Sequence, residues 1–286
     1  MCSSDLVEVG GSDLSADVVV VGVGPAGSAA AYHMAVAGLD VIVVERGEPG
    51  RDKRPPRGRR PSSRRCPVRQ HINFPGRISS VIFTGGCNMR CPYCHNRELV
   101  ENKGKEIPEE YIIKTLLLRK EFINSVVISG GEPTIHKDLP EFIKKIKNLG
   151  FLIKLDTNGT NSEMLENLIK NNLLDYVAMD IKNSFKRYEK VTVLKVSVEN
   201  IKKSMEILRK NNVNYKFRTT ICKELIKIED IEEIASMIKK GEKFYLQNFR
   251  NSEYIQKNIK LTPYSKEELD FLERKFSRKF TDFSIK

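Results

Sequence analysis

Three cysteines, Cys87, Cys91 and Cys94, fall within eight residues in the pattern Cys-x3-Cys-x2-Cys. Thiolates so spaced on a loop can each reach a different iron of one [4Fe-4S] cubane, which leaves the fourth iron without a protein ligand. An open iron of that kind can chelate the amino and carboxylate groups of S-adenosylmethionine and pass an electron to its sulfonium. Zinc is the alternative, but a closed zinc site takes four ligands, usually as Cys-x2-Cys pairs. Here the nearest fourth candidate, His95, adjoins Cys94 and is poorly placed, and Cys66 or Cys222 would have to be recruited by the fold. A second motif begins 36 residues beyond Cys94, where the apolar run Ser125-Val-Val-Ile-Ser129 ends in Gly130-Gly131-Glu132-Pro133. Bare glycine backbone at a strand end offers N–H and C=O groups to an amino-acid moiety, and the Glu132 carboxylate can fix a cationic amine. Alone the motif is a tight turn; behind the cysteines it reads as the second half of one site.

Both motifs need a scaffold that brings strand ends together. The pattern predicts strands near 79–84, 125–129, 151–156, 175–180, 214–219 and 243–248, separated by helices near 108–121, 138–149, 162–171, 197–211 and 228–240. In the fourth helix Ile201, Met205 and Leu208 recur at helical spacing and mark a core-facing stripe. Alternating βα units predict an α/β fold with a parallel sheet, and six of them make a partial (β/α)6 TIM-like barrel whose site lies at the C-terminal strand ends. Every motif singled out falls at such an end.

Composition narrows the setting. With 40% hydrophobic and 30% charged residues and no apolar run of the roughly 20 residues a bilayer span takes, a globular chain is expected. The acidic start is unlike a secretory signal, so a cytoplasmic location is expected, and clustered thiols there hold metal more often than they form disulfides. The net charge of +12 is concentrated at 51–69, where nine basic residues face one acid, so a solvated linker is expected rather than a nucleic-acid or membrane surface. Lysine occurs once before position 71 and 29 times after it, and asparagine first appears at Asn73. Such a break suggests two joined sources, either a fusion or a gene-assembly junction. In the first piece, apolar runs at 17–22 and 40–45 flank Gly22-Val-Gly24-Pro-Ala-Gly27 and an alanine-rich stretch, with Glu45 at the end. It resembles the opening βαβ unit of FAD-dependent oxidoreductases of the geranylgeranyl reductase type over about 35 residues, then runs into the Arg/Pro-rich stretch. The organisation expected is a disordered N-terminus (1–14), a truncated Rossmann-like fragment (15–50) with no working FAD site, a linker (51–70), the partial barrel (71–250) and a helical tail (251–286).

The run from Asn73 to Val100, with the cysteines inside it, resembles the activating proteins of anaerobic ribonucleoside-triphosphate reductase within the radical S-adenosylmethionine superfamily, and more distantly pyruvate formate-lyase activating enzyme. The likeness continues through Leu155-Asp-Thr-Asn-Gly159, Ala178-Met-Asp-Ile-Lys182, Phe217-Arg-Thr-Thr220 and Tyr245-Leu-Gln-Asn-Phe-Arg250. It implies a [4Fe-4S] cluster on Cys87, Cys91 and Cys94, Tyr93 against the adenine, and Gly130, Gly131 and Glu132 at the methionine amine. It further implies Asp156, Thr157 and Asn158 on the ribose side, Asp180 and Lys182 at the methionine carboxylate end, and Arg218 nearby. Where these activases often run through a Val-Pro-Gly-like turn, this chain has Ile221-Cys222-Lys223. The activity implied is reductive cleavage of S-adenosylmethionine, with flavodoxin or ferredoxin as electron donor and a glycyl radical placed on the reductase. The rivals are a radical enzyme acting on a pterin or on tRNA bases, and a non-enzymatic metal- or nucleic-acid-binding module.

Overall fold

A computed structural model describes residues 18–21, 41–44, 74–102, 107–251, 259–277, 279–280 and 282–285. Cys2, Cys66, Gly22, Gly24, Gly27, Glu45, the expected disordered N-terminus and the basic run lie outside the described residues. Among the described residues the strands are β1 (Val18–Val21), β2 (Val41–Val44), β3 (Ser79–Thr84), β4 (Ser125–Gly130), β5 (Leu152–Thr157), β6 (Tyr176–Asp180), β7 (Asn214–Ile221), β8 (Lys243–Asn248) and β9 (Asp282–Ile285). The helices are α1 (Arg97–Val100), α2 (Glu109–Leu118), α3 (Leu139–Asn148), α4 (Ser162–Lys170), α5 (Tyr188–Thr192), α6 (Val198–Lys210), α7 (Ile228–Met237) and α8 (Lys266–Phe276).

The strands form one sheet in the order β2-β1-β3-β4-β5-β6-β7-β8-β9, and every pairing is parallel. From β3 to β8 chain order and spatial order agree, which is the run of six βα units expected, and the sheet ends at β2 and β9 without closing. Two further features flank this run. Strands β1 and β2 extend the edge of β3, and beyond α8 the strand β9 lies on the edge of β8. Among the described residues no helix is long and apolar enough to cross a membrane.

The local reasons are legible. Parallel strands covered on both faces read as near-continuous apolar runs, as in β4, where Val126, Val127 and Ile128 are all buried. The helices bury one stripe each: Leu139, Ile143 and Ile146 in α3, and Ile201, Met205 and Leu208 in α6. Asn161 starts α4 by accepting from the Met164 N–H, and Ser265 with Glu268 forms a capping box on α8. Residues paired in register share a face, so Leu155, Val177, Met179 and Phe217 form one wall of the core while Lys154, Asp156, Asp180 and Arg218 fall on the opposite face. The sheet is therefore apolar toward its helices and charged on the other side.

Leu155 sits fully buried at the centre of that apolar wall. Leu155→Ala is expected to cost about 2–5 kcal/mol, read as a lowered urea midpoint with an unchanged slope.

Candidate active site

The cysteines lie on the loop that follows β3, and that loop is fastened on three sides. Gly86 N–H donates to Leu99 O at 2.7 Å, Arg90 N–H to Thr192 O at 2.9 Å, and the Arg90 guanidinium to Cys87 O at 2.7 Å. Asn88 donates to Thr160 Oγ1 at 2.7 Å and accepts from Asn158 Nδ2 at 2.8 Å, which ties the loop to the end of β5. Met89 and Tyr93 are buried and anchor it from beneath, while the three cysteines are half-buried. The Tyr93 ring is buried in the core cluster beneath the loop, and its hydroxyl is buried without a hydrogen-bond partner. Burial pushes all three thiols above their ordinary range, Cys91 up to about 11 with the Lys182 charge working the other way. Among the described residues no three His, Cys, Asp or Glu side chains are gathered into a ready-made metal cage. Cys222 is buried, just past the end of β7.

The glycine turn packs against the cysteine loop backbone to backbone. Gly131 N–H donates to Thr84 O and Glu132 N–H to Gly86 O, each at 2.9 Å. A Cβ on Gly131 would stand 1.8 Å from the Gly86 carbonyl oxygen, and Gly130 has a φ of +121° that only glycine adopts freely. Glu132 itself is buried and hydrogen-bonded by the chain. Its Oε1 accepts from Thr134 N (3.1 Å), Thr134 Oγ1 (2.6 Å) and Thr157 Oγ1 (2.7 Å), and its Oε2 from Asn158 N (2.6 Å). Burial still outweighs these bonds and raises its pKa. The carboxylate thus holds the turn after β4 against the end of β5.

Across the charged face of the sheet runs a ladder of alternating sign. Lys154 Nζ lies 2.6 Å from Asp156 Oδ1; Arg218 reaches Asp156 Oδ2 at 3.4 Å and donates through Nε to Asp180 Oδ1 at 2.7 Å; Lys182 donates to Asp180 Oδ2 at 3.1 Å. Burial would raise the Asp180 pKa, but Arg218 and then Lys182 overcome it and bring it down to about 2. Asp156 is lowered in the same way, with Arg218 and Lys154 overcoming burial. Burial lowers Lys154, whose side chain is 1% exposed, while Asp180 raises Lys182 against the effect of burial. Sequence reasoning passed over Lys154. Its signal was a lysine inside the apolar run of β5, two residues before Asp156 and therefore on the same face.

Arg218 bridges both carboxylates, so Arg218→Met is expected to cost about 3–5 kcal/mol at neutral pH by leaving buried charge uncompensated. Against an ordinary value of 3.8, the depressed Asp180 pKa means that its stabilising contribution is present above about pH 4 and fades toward pH 2. Urea titrations should therefore show the gap between wild type and variant narrowing as pH falls through that window. A gap independent of pH counts against the ladder.

Comparisons with known proteins bear on the whole arrangement. Residues 81–240, more than half of the chain, match the family model of the Radical SAM superfamily, and residues 17–53 match that of FAD dependent oxidoreductases. A Methanocaldococcus jannaschii protein provisionally named as a glycyl-radical enzyme activating enzyme is 40% identical over 202 residues, which cover 68% of this chain and 83% of that protein. A Methanococcus maripaludis protein provisionally named as a GTP 3′,8-cyclase is 37% identical over 127 residues, 43% of this chain and 42% of that protein. Among solved structures, Streptococcus suis SuiB shares the fold at a TM-score of 0.56 and 17% identity over 73% of this chain, which spans about half (49%) of SuiB. Family membership implies a [4Fe-4S] cluster and S-adenosylmethionine as cofactors. A family match over more than half of the length, joined to 40% identity across most of a relative, establishes that the chain belongs to the Radical SAM superfamily.

Proposed function

We propose that the chain is an activating enzyme that cleaves S-adenosylmethionine reductively and places a glycyl radical on a partner protein, the anaerobic ribonucleoside-triphosphate reductase. The observation that carries this reading is the 40% identity to the M. jannaschii protein over 83% of its length, a share that only an overall likeness produces. The residues fit the cofactors. Cys87, Cys91 and Cys94 offer three soft donors on one loop, and the glycines of the neighbouring turn, Gly130 and Gly131, let its backbone pack directly against that loop. When bound, a [4Fe-4S] cluster on these thiolates supplies one electron to S-adenosylmethionine, which splits to methionine and a 5′-deoxyadenosyl radical.

The chain's own groups bind and orient. Burial favours the neutral thiols, so taking up iron releases protons, helped by the Lys182 charge beside Cys91. Gly130 and Gly131 present backbone to the amino-acid end of S-adenosylmethionine, and Glu132 fixes their conformation. Thr157 and Asn158, held by Glu132, and Asp156 border the ribose; Asp180, Lys182 and Arg218 set the charge at the carboxylate end; Tyr93 supports the loop from below. Flavodoxin or ferredoxin would provide the electron. A second reading, a small-molecule radical enzyme, draws on the M. maripaludis protein, yet that likeness spans only 42% of the relative.

Anaerobic reconstitution with iron and sulfide, then dithionite and S-adenosylmethionine, should yield 5′-deoxyadenosine. Cys91→Ala should abolish both the cluster absorbance and this product, and Cys222→Ala should keep both. With the reductase added, an electron paramagnetic resonance doublet of a glycyl radical is expected. Product formation without that doublet, together with turnover of GTP, would transfer the assignment to the second reading.

A further inference from the structure

Thr84, Gly85 and Gly86 lead from β3 into Cys87, and the carbonyl oxygens of all three are held by the segment that follows β4. Two of these bonds are made by backbone: Thr84 O accepts from Gly131 N–H and Gly86 O from Glu132 N–H, each at 2.9 Å. The middle one is made by a side chain. His136 places Nε2 2.8 Å from Gly85 O, reaching back 51 positions along the chain. A carbonyl only accepts, so this ring nitrogen is the one that carries hydrogen. On the other side of the same peptide Gly86 N–H donates to Leu99 O at 2.7 Å. The peptide plane between Gly85 and Gly86 is therefore held at both polar ends, by His136 and by α1.

The need for such a clamp follows from the residues it holds. A Cβ on Gly85 would stand 2.2 Å from Asn102 Oδ1, one on Gly86 would stand 3.2 Å from Ile135 Cδ1, and Gly86 has a φ of +77°. The close neighbours demand glycine, yet two glycines in a row are the least restrained backbone a chain can carry. That freedom sits directly before the first thiol. His136 is itself fixed from behind by the short helical turn Pro133–Ile135. Its N–H donates to Pro133 O at 3.2 Å, its carbonyl accepts from Leu139 N–H at 3.3 Å at the start of α3, and Asn161 Nδ2 donates to Thr134 O at 2.6 Å. The half-buried ring thus has a rigid base from which to hold a pliable segment.

We propose that His136 is a positioning residue for the iron–sulfur cluster: by holding the Gly85 carbonyl it fixes the line on which the chain enters Cys87, and so the point from which that thiolate meets iron. It touches neither iron nor S-adenosylmethionine. Its action passes through backbone, as groups behind a metal ligand orient that ligand. The proposal depends on membership of the Radical SAM superfamily and holds for either reading of the substrate.

The test compares three full-length variants: His136→Leu, which removes the donor; His136→Gln, whose amide N–H ends near the place of Nε2; and Ile234→Val, which trims the buried stripe of α7. Each is reconstituted anaerobically, and loss of iron to excess ferrozine is followed by absorbance without S-adenosylmethionine or a partner. His136→Leu is expected to lose iron about tenfold faster than the wild type, and His136→Gln to stay within about twofold of it. The electron paramagnetic resonance g-values of the dithionite-reduced cluster should move in the Leu variant and return in the Gln variant. Urea midpoints of the iron-free chains control for folding: Ile234→Val should lower the midpoint and leave iron loss and g-values as in the wild type. Iron loss from His136→Leu at the wild-type rate, an equal acceleration in Ile234→Val, or no rescue by Gln each overturns the proposal. If His136→Leu does not fold, His136→Asn, too short to reach Gly85 O, takes its place, with fast loss in Asn and slow loss in Gln expected. A wild-type chain that assembles no cluster overturns the proposal as well.

Discussion

One buried carboxylate organises the candidate site. Glu132 accepts from Thr134, Thr157 and Asn158, and so locks the turn after β4 to the end of β5. Each donor is removed from water, and leaving one unpaired costs about 1–3 kcal/mol, so the arrangement has few alternatives. Asn158 then passes the constraint to Asn88 on the cysteine loop, and Glu132 N–H closes the circuit on Gly86 O. Thiol loop and glycine turn consequently behave as one body. The division of labour is clear: a charged side chain builds the turn, and backbone is what the turn presents.

The ladder from Lys154 to Lys182 follows a different logic. Buried ion pairs seldom stabilise a fold better than well-packed apolar residues of the same volume. The apolar face of the same strands, with Leu155 and Phe217 fully buried, already supplies the core. What the charged face contributes is fixed sign and position. Arg218 holds Asp156 and Asp180 ionised, and Asp180 keeps Lys182 protonated beside Cys91. A fold could be had without this ladder, whereas a polar, charged ligand could not be placed on the bare sheet.

The fold was largely readable because parallel βα units announce themselves twice, through apolar strands and through stripes such as Ile201, Met205 and Leu208. The candidate residues were readable as a neighbourhood because each lies in or just after the C-terminal half of a strand. Their partners were not. That Glu132 accepts from Thr157 and Asn158 depends on those two residues, 25 and 26 positions away along the chain, lying one strand over. The inward turn of Tyr93 depends on how its loop lies over the core, which spacing does not encode. Lys154 escaped because a lysine in an apolar run is discounted by any average of hydrophobicity, although alternation along a strand assigns its face without ambiguity.

Sheet edges account for the strands that lie outside the six βα units. On the N-terminal side of the break in composition near position 70, β1 pairs with β3 in register over Val18–Val21. Unpaired N–H and C=O groups on an exposed edge accept any extended segment of suitable side chains, whatever its origin. A run of four valines is such a segment. The same rule applies at the other end, where β9 adds to β8 after α8 has turned the chain. The run from β3 to β8, which holds the candidate residues, is thus flanked on both edges by strands that carry none of them. Because neither addition brings β2 and β9 into contact, the sheet gains covered edges without gaining closure. Its charged face therefore stays outside any complete barrel wall, a geometry compatible with a polypeptide loop as readily as with a small molecule.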